Sequence, residues 1–305
     1  MHRCFPRAAA ALLCFCASAF SYASETPSLP AVVDKGDWTP LRKNTDADLQ
    51  ARLQQLLGSR PLWRKLTAAN RLAVGLVDLS DPAAPRFAEV NGDVEMYAAS
   101  LPKIAILLAA FDQFEKGQLA RTPEVEQDLV AMIRVSSNPA ATRMIDRLGG
   151  LASVNAVLRD ARYQFYDEED GGGLWVGKRY AKKGPRLPDP LKGISHAATV
   201  TQICRFYYQL ATGRLISPEA SAEMLEVLSD PGIKHKFVKS IRERAPTAKL
   251  YRKSGTWKHW HADSVLVWGP EWRRYILVAL AESPRGEQIL RRLVSVAEEA
   301  LGPAQ

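Results

Sequence analysis

The sequence predicts an α+β protein in which an antiparallel sheet, flanked by terminal helices, carries an inserted all-helical subdomain. Apolar runs with strand character occur only toward the two ends of the chain, while helical periodicity dominates from about 100 to 225. One amphipathic helical pattern precedes the first strands, and another follows the last ones. A sheet assembled from both ends of the chain, with helices inserted between its halves, satisfies these observations.

Residues 1–23 have the pattern of a signal peptide. Arg3 and Arg7 supply a positive start, residues 8–20 are apolar but too few to span a bilayer, and small residues at 21 and 23 frame a cleavage site. This pattern predicts a secreted, periplasmic protein; the alternative is a buried N-terminal helix. A lipoprotein anchor is disfavoured because large residues precede the N-terminal cysteines, so no stable membrane anchor is expected.

Cys204 is the one cysteine of four that would remain after signal removal, so no intrachain disulfide is expected in the mature chain. On its predicted helix, Cys204 is expected to be a small core residue. The formal charge falls from +8 to +6 when Arg3 and Arg7 leave. Because no arginine-rich block or aromatic-basic repeat accompanies this charge, no nucleic-acid partner is predicted. We expect the chain to be a monomer.

The N-terminal elements follow in a simple order. Prolines and the lack of a clear period predict an extended arm at 24–44. Thr45 or Asp46 can then cap an amphipathic helix. Residues 72–79 have the character of a buried strand, and 86–90 pairs back on it as a hairpin.

The helical subdomain is predicted over 96–213. It contains an irregular stretch at 163–195 that is rich in Gly, Pro and Lys. Its predicted helices are one that ends near Gly117 and others at 123–135, 139–148, 151–160 and 199–212.

The C-terminal part supplies the remaining strands. Short apolar segments at 249–254, 264–268 and 275–281 are separated by turns, and a terminal amphipathic helix follows them. Together, 45–95 and 214–305 are predicted to form the α/β subdomain.

The segment Ser100-Leu101-Pro102-Lys103 lies at a predicted helix start. Residues three apart share a helix face, so the Ser100 hydroxyl and the Lys103 amine can come within hydrogen-bond reach. The helix N-terminus can stabilise a developing oxyanion, and a buried lysine whose pKa is lowered can act as a general base. The pattern predicts a serine nucleophile with a lysine base; the alternative is a helix cap followed by a solvated lysine.

Two further segments carry matching chemistry. Ser136-Ser137-Asn138 lies in a short link between predicted helices. There Ser136 can relay a proton and Asn138 can hold a substrate amide; a helix cap is the alternative.

Lys253-Ser254-Gly255-Thr256 ends a predicted strand. There Lys253 and Ser254 can attract a carboxylate, Gly255 permits close backbone approach, and the Thr256 amide can be a second oxyanion donor; a strand ending at a glycine turn is the alternative.

Taken in order, these three segments resemble the motif set of class A β-lactamases and penicillin-binding proteins. The resemblance covers roughly 45–302 and implies a β-lactamase-like fold. It also implies a serine hydrolase that forms an acyl-enzyme with β-lactam or related amide substrates. Ser137 stands where class A enzymes usually carry Asp.

One departure concerns deacylation. Class A enzymes use a loop glutamate, followed four residues later by asparagine, to activate water, and no such pair stands here. Glu168 and Glu169 are the nearest candidates by position, and we take Glu169 as the candidate catalytic carboxylate. The alternative is an exposed acidic turn. Ser136 also follows Ser100 by only 36 positions, a short spacing for class A.

Remaining candidates are weaker. Trp257, Trp260 and His261 follow the third segment and can line a substrate cleft, although packing explains them equally well. His196 and His235 lack acidic neighbours at triad-like or metal-like spacing, so no metal and no cofactor are predicted.

The predicted partner is a small molecule, either a β-lactam or a peptidoglycan-derived substrate. The first hypothesis is hydrolysis through an acyl-enzyme on Ser100. The alternatives are a penicillin-binding or D,D-peptidase-like protein, or a non-turnover sensor that stays acylated.

Overall fold

The computed structural model of the protein describes residues 1–2, 28–31, 33–34 and 36–302. The strands are β1 (Leu72–Asp78), β2 (Arg86–Val90), β3 (Met96–Tyr97), β4 (Tyr166–Asp167), β5 (Gly172–Gly173), β6 (Trp175–Val176), β7 (His196–Ala198), β8 (Lys249–Trp257), β9 (Trp260–Trp268) and β10 (Arg274–Glu282). The α-helices are α1 (Ala47–Gly58), α2 (Pro61–Ala68), α3 (Lys103–Glu115), α4 (Pro123–Arg134), α5 (Asn138–Arg147), α6 (Leu151–Arg159), α7 (Val200–Ala211), α8 (Pro218–Leu228), α9 (Phe237–Arg244) and α10 (Gly286–Leu301).

Five of these strands form one antiparallel sheet in the order β2-β1-β10-β9-β8. The central strand pair sets the register, with Leu76 opposite Leu277. Successive residues of a strand point to opposite faces, so Leu76 packs into one apolar core while its neighbour Val77 packs into another. The predicted sheet, built from both ends of the chain, is confirmed.

Helices cover both faces of the sheet. The terminal helices α1 and α10 pack together on one face, with α9 beside α10, and α7 crosses the other face against β1 and β10. Asp46 caps α1, because its Oδ1 accepts a hydrogen bond of 2.7 Å from the Leu49 amide. The flanking terminal helices predicted from the sequence are therefore confirmed.

The helical insertion surrounds α3, whose residues from Lys103 to Asp112 are all buried. Helices α4, α5 and α6 pack around it, and α8 contacts α4, α7 and β8. Cys204, on α7, is fully buried, as predicted for a small core residue. A helix that is apolar on every side requires this kind of complete enclosure, and it gives the N-terminus of α3 a fixed position.

A small three-stranded sheet is formed by β3, β7 and β6, in the order β3-β7-β6. It was not predicted, since its strands are only two or three residues long. In it, Met96 pairs with Ala198 and Tyr97 with Ala197, so the segment that leads to Ser100 is held from its N-terminal side.

The N-terminal arm rests on α7. The Ala31 amide donates to the Ala211 carbonyl at 2.7 Å, and Trp38 stacks on Tyr208 with 5.8 Å between ring centroids. The predicted signal peptide lies outside the described residues, apart from residues 1 and 2. No helix in the described part of the chain has the length and apolar character required to cross a membrane.

Candidate active site

Ser100 lies in a tight turn between β3 and α3. The Ala98 amide donates to the His196 carbonyl at 2.8 Å, and Ala99 adopts a left-handed φ of 51°. The Lys103 amide then donates to the Ser100 carbonyl at 3.3 Å, an i to i+3 bond that leads into the helix. In such a turn residues three apart lie on the same side. The half-buried Ser100 hydroxyl is therefore held at the α3 N-terminus.

The Lys103 side chain is completely buried and reaches the second segment. Its Nζ donates to the Ser136 carbonyl at 2.6 Å, to Asn138 Oδ1 at 2.8 Å and to Ser136 Oγ at 3.3 Å. Among the described residues, no hydrogen bond joins this amine to the Ser100 hydroxyl. The lysine thus connects the nucleophile turn to the α4–α5 link.

Burial lowers the pKa of Lys103 from 10.5 to about 7. Removal of an ammonium group from water penalises its charged form, and no described carboxylate forms an ion pair with it. A large fraction of this amine is therefore neutral near pH 7, where it can accept a proton. This is the property that a general base requires.

The Ser136 hydroxyl lies between two lysine amines. Lys253 Nζ lies 3.0 Å from Ser136 Oγ and donates to the Ser254 carbonyl at 2.7 Å. Burial, followed by the nearby charge of Lys103, lowers the pKa of Lys253. Ser136 adopts a left-handed φ of 58°, and in this conformation its carbonyl faces Lys103 while its hydroxyl faces both amines. The hydroxyl is thus placed to pass protons between neighbouring groups.

Asn138 and Ser137 have different roles in the same link. Because Asn138 Oδ1 accepts from Lys103, the amide nitrogen of this exposed side chain remains able to donate to a ligand. Ser137 Oγ accepts from the Ala140 amide at 3.2 Å and so caps α5. The helix-cap interpretation therefore holds for Ser137.

The third segment packs directly on the nucleophile turn at Gly255. A Cβ atom at this position would lie 2.1 Å from the Ala98 carbonyl oxygen, 2.7 Å from the Ser100 nitrogen and 2.9 Å from the Leu101 nitrogen. Any side chain would collide with the backbone of the turn, so glycine is required for the close approach. The end of the edge strand β8, including exposed Thr256, thereby lies beside the Ser100 amide.

A third buried lysine, Lys236, supports this strand end and was not recognised in the sequence. Its Nζ donates to the Gly255 carbonyl at 2.7 Å, to Thr256 Oγ1 at 2.8 Å and to the Ala262 carbonyl at 3.0 Å. Burial lowers its pKa to about 8. Because Thr256 Oγ1 accepts this bond, the hydroxyl hydrogen of Thr256 is free to point toward a ligand.

Glu169, the candidate catalytic carboxylate, is not brought to these groups. It lies in an exposed turn between β4 and β5, where its backbone amide donates to Asp167 Oδ1 at 3.0 Å. The neighbouring Glu168 pairs with Arg159. No hydrogen bond or ion pair in the described part of the chain links Glu169 to Ser100, so the acidic turn is solvated.

An aromatic pair that the sequence did not link to the site lies beside Lys103: Tyr180 contacts the lysine, and His196 contacts Tyr180. The Tyr180 ring centroid is 4.5 Å from Lys103 Nζ, and the Tyr180 hydroxyl donates to the Ala99 carbonyl at 3.3 Å. His196 stacks on Tyr180, with 4.3 Å between centroids and 3° between planes. Burial, followed by the Lys103 charge, lowers the pKa of His196 to about 3, so this imidazole stays neutral.

The other aromatic candidates divide between surface and core. Trp257 is 57% exposed at the end of β8, and Trp260 contacts Tyr97 edge-on at 5.9 Å. His261 is buried against Gly286, while His235 Nδ1 lies 3.3 Å from an Arg252 nitrogen. Within the described ranges, no cluster of three or more His, Cys, Asp or Glu side chains is placed to hold a metal ion.

An antiparallel sheet with a helical insertion, bearing a serine turn and two buried lysines at their junction, defines the superfamily of serine β-lactamases and penicillin-binding proteins. The chain belongs to the β-lactamase enzyme family, because the Beta-lactamase2 family profile matches residues 49–128 and 121–301. A search of curated proteins found no match.

Solved structures show the same fold at low sequence identity. A β-lactamase from Sphaerobacter thermophilus is 17% identical, with a TM-score of 0.62 over 82% of this chain and 95% of the other. PBP-A is 22% identical, with a TM-score of 0.59 over 84% of this chain and 96% of the other. A mutant of PBP-A, in an acyl-enzyme complex with penicillin G, is 20% identical, with a TM-score of 0.63 over 86% and 98% of the two chains.

The contact at Gly255 predicts that Gly255→Ala disables the site. The new methyl group has to displace the backbone at Ala98 and Ser100, so we expect penicillin labelling to slow at least ~100-fold and stability to fall by about 1–3 kcal/mol. Gly58→Ala is the matched control, because nothing lies within 4 Å of its added Cβ. Labelling kinetics and urea unfolding measure both effects; normal labelling of Gly255→Ala would show that β8 does not border the reacting group.

Proposed function

We propose that this protein is a serine hydrolase that acylates itself on Ser100 with β-lactams or related amides and releases the acyl group slowly. The observation that carries the proposal is the meeting of the Lys103 and Lys253 amines at Ser136 Oγ, together with the contact of Gly255 on the Ser100 backbone. This arrangement supports a nucleophile, a base, a proton relay and an oxyanion site close to one another.

Acylation proceeds in two steps. The Ser100 oxygen attacks the substrate carbonyl carbon while the neutral Lys103 amine takes the hydroxyl proton, directly or through Ser136. The Ser100 and Thr256 amides stabilise the oxyanion. The carbon–nitrogen bond then breaks, and the Ser136 hydroxyl donates a proton to the leaving nitrogen while it takes one from an adjacent ammonium group. The product is an ester on Ser100. The proton of the Ser100 hydroxyl is transferred in net to the leaving nitrogen, and Lys103 and Ser136 return to their starting protonation states.

Substrate recognition is assigned to the hydrogen-bond donors of the three motif segments. The Asn138 side-chain nitrogen can donate to a substrate carbonyl, and the Thr256 hydroxyl can donate to a substrate carboxylate. Lys236, whose pKa is about 8, supplies positive charge beside Thr256. These groups suit a small acylated amide that bears a carboxylate. β-Lactams and peptidoglycan-derived D-Ala-D-Ala peptides both have this chemistry.

The acyl group is expected to leave slowly because no carboxylate among the described residues is placed to activate water at Lys103. Glu169 lies in the solvated turn, and burial alone accounts for the lowered pKa of Lys103. The expected cellular location is the periplasm, after export by the predicted signal peptide. There the protein would meet both β-lactams and peptidoglycan fragments.

The test is turnover of a chromogenic cephalosporin by the purified protein. We expect a burst of about one product per protein, followed by a steady rate at least ~10³-fold below the ~10 s⁻¹ typical of enzymes. Fast multiple turnover without a burst would contradict slow release. A parallel assay with an acylated D-Ala-D-Ala peptide tests the D,D-peptidase alternative, which predicts continuous release of D-alanine.

A further inference from the structure

We propose that Tyr180, supported by His196, excludes water from Lys103 and thereby holds the acyl group on Ser100. This inference rests on the proposed function and assigns the slow step to one side chain. On this account Lys103 is itself the base for deacylation once water reaches it.

The Lys103 amine is surrounded by polar oxygen atoms and one aromatic ring. Oxygen atoms of Ser136 and Asn138 accept hydrogen bonds from this amine at 2.6–3.3 Å. The Tyr180 ring covers the amine from another side, with 4.5 Å between the nitrogen and the ring centroid. A water molecule that contacted the amine there would have to replace this aromatic ring.

Tyr180 is held in this position from two directions. Its hydroxyl donates to the Ala99 carbonyl, one residue before the nucleophile, and its ring lies flat on the His196 imidazole. His196 is itself fixed, since it begins β7 and its carbonyl accepts from the Ala98 amide. These contacts fix the positions of the two rings relative to the Ser100 turn.

His196 has the properties of a packing surface and lacks those of a base. It is 5% exposed, and its Nδ1 is buried without a hydrogen-bond partner among the described residues. Its pKa of about 3 keeps the ring neutral at any pH where the protein would act. A neutral, unpaired imidazole adds no charge and attracts no proton, so it serves to support the Tyr180 ring.

Tyr180 lies in the segment 177–188, which is exposed from 181 onward and whose two ends are held by backbone hydrogen bonds. The Gly177 amide donates to the Ser195 carbonyl at 2.5 Å, and the Leu187 amide donates to the Gly177 carbonyl at 2.8 Å. Arg179 is paired with Asp146 on α5. These contacts anchor the segment beside the site, and Tyr180 is its side chain that reaches the Lys103 amine.

Removal of the Tyr180 ring should permit hydrolysis of the Ser100 ester by water. Water attacks the ester carbonyl while the neutral Lys103 amine takes one of its protons. The bond from the carbonyl carbon to the Ser100 oxygen then breaks, and that oxygen takes the proton back from Lys103. The step consumes one water and needs no other reactant.

The experiment compares wild type, Tyr180→Ala and Tyr180→Phe after labelling with penicillin G, with the adduct followed by intact-protein mass spectrometry. We expect the adduct to disappear at least ~10-fold faster from Tyr180→Ala and at an unchanged rate from Tyr180→Phe, which keeps the ring. Deacylation of Tyr180→Ala should also increase with pH as Lys103 loses its proton, in a range above the wild-type pKa of about 7, because water relieves part of the burial that lowers this pKa.

The outcomes separate this inference from the proposed function. Labelled Tyr180→Ala that deacylates at the wild-type rate overturns the role of Tyr180 alone. So does loss of acylation in Tyr180→Ala when Tyr180→Phe still labels, because the ring would then act in acylation. Absence of labelling in wild type overturns the proposed function. Circular dichroism checks folding, and Tyr180→Leu, expected to show an intermediate acceleration, replaces the alanine variant if that variant is unfolded.

Discussion

Ser100→Ala is expected to abolish covalent labelling by a fluorescent penicillin, with a decrease of at least ~10⁴-fold in the acylation rate, because it removes the attacking oxygen. The fold should remain intact. The Ser100 side chain is half-buried and makes no hydrogen bond in the part of the chain that the structure describes. Its loss is therefore expected to change the free energy of unfolding by no more than about 0.5 kcal/mol. Gel fluorescence and urea unfolding measure the two quantities.

Ser137→Ala is the matched control for this experiment. Ser137 caps α5 through the Ala140 amide, so its replacement should cost about 1 kcal/mol of stability, as loss of a helix cap usually does, while labelling persists. Ser100→Ala should thus lose labelling and keep its stability, whereas Ser137→Ala should keep labelling and lose stability. Persistent labelling of Ser100→Ala, or loss of labelling in a folded Ser137→Ala, would contradict the assignment of the nucleophile.

Lys103→Met should slow acylation by about 10²–10⁴-fold, the range typical of a lost general base. Methionine keeps the length of the side chain but has no amine to accept the Ser100 proton. In wild type the acylation rate should increase with pH and level off above about 7, where Lys103 becomes neutral. That dependence should disappear in Lys103→Met, and stopped-flow labelling across pH measures it.

The same pKa shift predicts an effect on stability. Between about pH 7 and 10.5, the unfolded chain binds the Lys103 proton that the folded chain has released, so the free energy of unfolding should increase with pH over this interval. Lys103→Met should reduce the slope. Lys249→Met, at an exposed lysine that begins β8, should change neither the slope nor the acylation rate. An unaltered pH profile in Lys103→Met would contradict the role of this lysine.

Elements with a strong local pattern could be predicted from the sequence. The hairpin strand at 86–90 has the predicted bounds, because its apolar pattern and the preceding turn are both local. Helices α2 and α9 could not be predicted, since each has only eight residues, and two turns are too few for a clear period. Strand β8 extends three residues past Ser254, because pairing with β9 continues to Trp257.

The three motif segments could be predicted because each is contiguous and its chemistry depends on residue type and spacing. Tyr180 could not be, since its place depends on the path of a long loop that carries no local signal. His196 reaches Tyr180 and the Ser100 turn through the β3–β7 pairing, which joins residues 100 positions apart in sequence. Lys236 reaches Thr256 from the start of α9, in a left-handed backbone conformation that no local pattern indicates. Contacts of this kind are set by tertiary structure.

The most direct test of the central claim is peptide mapping of the wild-type protein after treatment with penicillin G and trypsin. We predict one adduct, on the peptide from Phe87 to Lys103, with fragment ions that assign it to Ser100. An adduct on a different peptide, or no adduct with either a penicillin or a cephalosporin, would contradict the convergence of the three segments on a single reactive serine.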